Sequence, residues 1–246
     1  MNLYEHVDQY CERASAAFWA EPVNALSNLS FAVAAWAIWR MLARHRTGPA
    51  GRKAPLSIAF TVPLAASISL GSFAFHTLGT RWAQVLDVAP IALFVLWFLG
   101  SYLHWFHGLS RRRALLGVVA FIAFLAAFIV VVGPYVPNRS GTYVPVLLLL
   151  AALTVVLRTS PDPELRVHAG TFGLATVSFA GALLARTADE SVCSDFPVGT
   201  HFLWHLLDGL VVYLASLALV RHWRTRTSAT PEPAPAEGAE RAPGPR

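Results

Sequence analysis

Five side chains suited to hydrolytic chemistry stand at the ends of hydrophobic runs in this chain. Ser72 and His76 close one run, Asp87 opens the next, and His201 and His205 open the last. The spacing of His201 and His205 (i, i+4) puts both imidazoles on one helical face. With His76 as a third nitrogen they form the donor set of a tetrahedral zinc site whose fourth position stays open to water. Zinc lowers the pKa of such a water toward about 7. Asp87 would take its proton as general base, and Ser72, one turn before His76, would donate a hydrogen bond to a developing oxyanion. A charge at the centre of a bilayer costs roughly 2.5–3.5 kcal/mol on insertion scales, so ionisable residues retained in apolar segments are usually functional. Taken singly, each histidine is explained as a capped or interfacial residue. Three that meet at one depth point to a metal.

The elements that must position these residues are membrane helices. Of 246 residues 55% are hydrophobic and 13% charged, against about 25% charged in soluble domains, and the mean hydropathy is +0.51. The formal charge of +5 comes from arginines in short loops between apolar runs, as in cytoplasmic membrane loops. No basic helix interleaved with aromatics is available to track a phosphate backbone, which excludes nucleic acid as a partner. The acidic N-terminal stretch (Glu5, Asp8, Glu12) lacks the basic start of a secretory signal peptide, so the first run is expected to be a retained helix.

Seven runs approach or exceed the length that spans about 30 Å of hydrocarbon. They lie near Val23–Ala43, Leu56–Leu78, Ala83–His104, Ala114–Gly133, Tyr143–Leu157, Val167–Arg186 and His201–Arg221. The expected fold is all-α: an extracytoplasmic segment 1–22, a seven-helix membrane domain 23–226, and a Pro/Ala/Glu-rich disordered tail 227–246. Basic residues concentrate in alternate loops (Arg44, Arg46, Arg52 and Lys53; Arg111–Arg113; Arg158 and Arg166; Arg221–Arg226), which puts the N-terminus outside and the C-terminus in the cytoplasm. Ser72, His76, Asp87, His201 and His205 then share one layer just beneath the outer surface. The Asp189–Asp195 stretch is read as an outer loop.

The pattern Ser72-x3-His76-x10-Asp87 with His201-Phe-Leu-Trp-His205, preceded by Glu21-Pro-Val-Asn24-Ala-Leu-Ser-Asn28, resembles the alkaline ceramidase family. That family sits in a wider group of seven-helix membrane hydrolases with the adiponectin-receptor-like proteins. The resemblance covers essentially everything before the tail. It implies a zinc ion held by the three histidines, with Ser72 and Asp87 assisting hydrolysis of a ceramide amide bond. Lys53 is the only lysine beside many arginines, which points to a GC-rich bacterial genome and an inner-membrane location with the site toward the periplasm.

Three further groups of residues attract a reading. Asp8, Glu12 and Glu21 are oxygen donors suited to calcium. The resemblance implies a calcium site in this region, with Glu12 and Glu21 matching its pattern; acids that merely keep the segment solvated are the alternative, and Arg13 stands among them. Cys11 and Cys193 both fall on the outer side, where an oxidising compartment favours a disulfide, and the resemblance implies the same bridge; two free thiols are the alternative. Asp208 lies two turns from His201 and is a candidate to orient a ligand imidazole, or else to hydrogen-bond between helices.

Three function classes fit a seven-helix chain. The favoured one is a zinc-dependent amidohydrolase acting on a lipid whose amide lies at the head-group boundary. A receptor or signalling protein with a structural zinc and little hydrolysis is the alternative. A transporter would want polar residues and broken helices at the midplane, whereas this chain keeps its ionisable residues toward one side. No lysine lies in a predicted helix, which disfavours retinal.

Overall fold

The computed structural model describes residues 2–47 and 53–228. Most of the tail expectation, from residue 229 onward, and part of the first loop lie outside the described residues. Among the described residues seven helices are long and apolar enough to cross a membrane: α1 Pro22–His45, α2 Leu56–Leu78, α3 Arg81–His107, α4 Arg111–Val131, α5 Pro137–Thr159, α6 Pro163–Val192 and α7 His201–Thr227. Among the described residues extended pairing is limited to an isolated antiparallel bridge, His6 to Thr80. The all-α, seven-helix expectation therefore holds. Large side chains such as Trp36, Leu70, Leu115, Val130 and Leu184 face outward, the apolar exterior that a lipid environment accommodates.

Local chemistry explains where the helices break. Pro63 has no N–H to donate and its ring crowds the carbonyl four residues back; α2 is accordingly interrupted at Phe60, between Leu56–Ala59 and Thr61–Leu78. Pro90 is accommodated inside α3 without interruption. α1 is divided at Asn28, whose carbonyl accepts a hydrogen bond from Ser69 on α2 at 2.9 Å. The regular part of α5 starts at Val144, after a short 3-10 stretch from Pro137 to Thr142.

One boundary differs in a way that matters for the site. α6 runs to Val192 rather than ending at Arg186, so Asp189 belongs to a helix and not to the outer loop. The residue is fully buried. Burial is tolerable because its carboxylate accepts backbone N–H groups from Cys11 (3.0 Å), Thr200 (2.7 Å) and His201 (2.9 Å). Asp189 thus ties the N-terminal segment, the end of α6 and the start of α7 together. The Cys11–Cys193 disulfide closes the same junction, with the two Cα atoms 5.1 Å apart.

Antiparallel packing of α2 on α3 follows from their connection. Gly79 ends α2 in the left-handed conformation and Thr80 directly precedes α3. The N-terminal segment lies along this turn: Val7 N–H donates to Gly79 O (2.7 Å), and Arg81 and Trp82 N–H donate to Glu5 O and Leu3 O. Two close backbone approaches bring the polar residues together. A Cβ on Gly71 would overlap the Leu86 carbonyl next to Asp87, and one on Gly209 would meet Ser30 on α1 at 2.6 Å. Because the obstacle at Gly71 is backbone, Gly71→Ala is expected to push α3 off α2 and cost about 1–3 kcal/mol, the usual scale of overpacking. A lowered thermal unfolding midpoint in detergent would show it; an unchanged midpoint would mean the two helices are not in contact there.

Candidate metal centre

His76 near the end of α2 and His201 and His205 at the start of α7 converge at one end of the bundle. Their ligand nitrogens lie within 4.8 Å of one another. All three side chains are buried, at 0–2% exposure. Their hydrogen bonds decide which nitrogen is free. His76 Nδ1 is 2.6 Å from Glu21 Oε2; the carboxylate only accepts, so Nδ1 carries the proton and Nε2 keeps its lone pair. Ser27 Oγ gives its one proton to Asn24 O (2.8 Å) and must therefore accept from His205 Nδ1 (2.7 Å). That fixes the tautomer of His205 with Nε2 unprotonated. His76 Nε2 and His201 Nδ1 are buried with no hydrogen-bond partner. Orphaned buried nitrogens are costly, and a metal ion satisfies them. The residues fit such an ion.

The carboxylate at His76 is itself positioned. Glu21 Oε1 pairs with the Arg13 guanidinium, and Oε2 also accepts from Asn24 Nδ2 at 3.1 Å. Arg13 Nη2 reaches the His76 carbonyl at 2.9 Å, so arginine, glutamate and histidine form one closed, buried unit. Burial alone pushes the Glu21 carboxyl up, but the hydrogen bond and charge of His76, then Arg13, outweigh it and hold the group below the usual carboxylate range. Glu21 is ionised at neutral pH.

Ser72 sits one turn before His76, buried at 1% and near Asp87 on α3. Asp87 lies near both His76 and Arg186. It also lines a cavity of about 360 Å³ walled by apolar side chains of α3, α4 and α5, such as Ile91, Leu96, Phe121 and Val146. That volume is in the range of small-molecule sites. Tyr10 forms the boundary between cavity and histidines. Its ring stacks on His201, with centroids 3.6 Å apart and planes 10° apart, and its hydroxyl accepts from Arg186 and from Gln9 Nε2. Burial raises the Tyr10 hydroxyl well above its ordinary pKa despite the nearby Arg186, so it remains a neutral hydrogen-bonding group.

The five residues singled out in the sequence are thus brought together. The three acids considered for calcium are not. Asp8 is exposed, and Glu12 accepts the N–H groups of Val23 (2.6 Å) and Asn24 (2.8 Å), capping the start of α1. Glu21 is occupied by Arg13 and His76. Among the described residues the three histidines are the one group of three or more acidic, histidine or cysteine side chains able to share an ion, and the calcium expectation finds no support. Asp208 makes no hydrogen bond to an imidazole. It lies on the wall of a small apolar cavity with Phe31 and Ile68, its Oδ1 buried and unpartnered. Backbone donation to Asp189, rather than any contact with Asp208, anchors His201.

Tyr10, Asp189 and Arg186 carry no ligand-type pattern in the sequence, and Ser27 stands in the Glu21–Asn28 motif without an assigned role. Glu21 drew attention for its charge but was assigned to a different ligand. An arginine at the end of an apolar run reads as a helix boundary.

A seven-helix chain with an apolar exterior, a buried three-imidazole ligand set and an adjoining cavity defines the class: a multi-pass membrane protein that can hold a metal ion. The chain belongs to the Ceramidase family, which matches residues 7–234. A search of curated proteins found no match.

Removing the charge of Glu21 is expected to loosen the metal site. Partners of this kind are worth about 10–100-fold in metal affinity, so Glu21→Gln should weaken zinc binding by that factor in competition with a chelator of known affinity. Unchanged affinity in the folded variant would show that His76 is oriented by other means.

Proposed function

We propose that this chain is a zinc-dependent intramembrane hydrolase that cleaves the amide bond of a ceramide-like lipid, giving a fatty acid and a free amine. The observation that carries the reading is the set of three buried imidazoles, two of them held by Glu21 and Ser27 with a lone pair free, beside a carboxylate that opens onto an apolar cavity. Membership of the Ceramidase family supports both the hydrolase and the lipid substrate.

His76, His201 and His205 would hold the zinc, whose charge polarises the amide carbonyl and supplies an activated water. Asp87 faces both the cavity and the histidines and receives the proton from the attacking water. Glu21 and Asp189, the acids buried at this end, are engaged by Arg13 and His76 and by backbone donors respectively, so Asp87 is the carboxylate left for this work. The same carboxyl then delivers the proton to the leaving nitrogen, which departs as the amine. Ser72 donates a hydrogen bond to the carbonyl oxygen as it becomes an oxyanion. The apolar cavity receives a lipid chain and excludes water from its length. Tyr10 closes the site over His201.

The basic loops support an orientation with residues 1–22 and the metal centre on the extracytoplasmic side, 23–226 as the membrane domain, and the segment from 227 reaching the cytoplasm. Composition supports a bacterial inner membrane. Both are proposals that accompany the hydrolase reading.

Asp87→Asn is expected to retain zinc and to lose at least about a hundredfold in turnover, the scale of general-base loss. Ser72→Ala should also retain the metal but lose less, because water can replace one of several donors. Release of fatty acid from amide- and ester-linked lipids, with and without chelator, measures both. Wild-type turnover in Asp87→Asn would overturn the mechanism. A zinc-loaded protein that hydrolyses none of the lipids would favour a receptor with a structural zinc.

A further inference from the structure

Arg186 is a buried guanidinium that the hydrolytic chemistry leaves without a task. It is 4% exposed on α6, and among the described residues no carboxylate lies within ion-pair distance of it. Its charge is supported instead by the rings of Tyr10, Tyr143 and Trp204, whose centroids are 5.2–5.5 Å from the guanidinium carbon. Nη1 donates to the Tyr10 hydroxyl, and Nε is buried without a partner. Nη2 makes no hydrogen bond and is not among the buried unpartnered atoms, so it reaches open space. That space is the 360 Å³ cavity, which Arg186 lines. An ionisable side chain retained in this way within a membrane segment calls for a ligand.

The surroundings define the ligand's charge. The ionisable groups on the cavity wall, tyrosines aside, are Asp87, Arg139 and Arg186, two guanidiniums against one carboxylate. Arg139 is held toward the mouth by an unusual turn in which Asn138 and Arg139 both have positive φ, 50° and 51°, uncommon for residues other than glycine. The Asn138 amide fastens that turn to α6 by donating to the Arg186 carbonyl at 2.7 Å. Hydrogen bonds join the polar lining groups, Gln84 donating to Gln9, Gln9 to the Tyr10 hydroxyl and Thr142 to the Arg139 carbonyl, while the other lining residues are aliphatic and aromatic. A wall of this kind suits a molecule with one long apolar chain and one negatively charged group.

We propose that Arg186, with Arg139 at the mouth, is a subsite for a carboxylate or phosphate group carried by the lipid, so that the enzyme prefers acidic lipids in this cavity to neutral ones. Arginine matches both groups with its fork of donors. The inference rests on the hydrolase reading only in taking the cavity as the place where the lipid lies. Two sources share the chemistry: an acidic head group on the substrate amide, and the fatty acid released by cleavage.

Binding separates this inference from catalysis. Hexadecanoate and hexadecanol, matched in chain length, are titrated against the full-length protein in detergent. The wild type is expected to bind the acid at least about tenfold more tightly, the scale of one charge-assisted hydrogen bond. Arg186→Gln should abolish the difference and Arg186→Lys should keep part of it. Equal affinity of the wild type for acid and alcohol overturns the proposal, whether or not any variant folds. Turnover then locates the source. A higher kcat/KM for N-oleoylglycine than for an uncharged N-oleoyl amide, with the ratio falling in Arg186→Gln through KM, assigns the subsite to the head group. Inhibition by hexadecanoate that weakens in the same variant, without a substrate preference, assigns it to the product. A protein that shows the binding preference but hydrolyses neither amide refutes the hydrolase reading and leaves the subsite standing.

Discussion

A buried imidazole has two nitrogens, and leaving either without a partner costs as much as a lost hydrogen bond. The pairing of His76 Nδ1 with Glu21 is the point from which this end of the molecule is organised. It requires an ionised carboxylate at only 2% exposure, and a lone carboxylate there would be severely destabilised. Arg13 answers that requirement from one side and Asn24 from the other. Arg13 in turn reaches back to the His76 carbonyl, so the charge network closes on the helix that carries the ligand. Left buried without a partner among the three imidazoles are His76 Nε2 on α2 and His201 Nδ1 on α7.

The N-terminal segment is therefore part of the site and not merely a lead-in to α1. It supplies Arg13 and Tyr10, caps α1 through Glu12, and is held by the turn between α2 and α3 on one side and by Asp189 and the disulfide on the other. The bridge joins residues 182 positions apart, a closure worth on the order of 2–5 kcal/mol by loss of freedom in the unfolded chain. Its local effect is to keep Tyr10 over His201. Arg186, which donates to the Tyr10 hydroxyl, links this cover to the apolar cavity.

The seven helices and the histidine set could be read from the sequence because both are local patterns: long apolar runs, and chemistry-bearing residues at their ends. The supporting residues could not. Asp189 looked like loop because an acid after an apolar run ordinarily marks a membrane surface; three backbone donors from distant segments make its burial tolerable. Glu21 was recognised as a ligand-type acid, but whether its partner is a metal ion or Arg13 depends on how the N-terminal segment folds back. Asp208 shares a face with His201 by spacing, yet the two-turn rise along α7 carries it away from the imidazoles and into an apolar wall. Periodicity gives direction around a helix; partners across the bundle come only from packing.

An ion bound by three imidazoles is the centre of this site, and X-ray absorption at the zinc edge of the purified protein tests for it most directly. About one zinc per chain is expected, with three nitrogen neighbours near 2.0–2.1 Å and one oxygen ligand, and loss of one nitrogen with most of the metal in His205→Ala. A shell dominated by carboxylate oxygens or sulfur, or full zinc occupancy in His205→Ala, would contradict it.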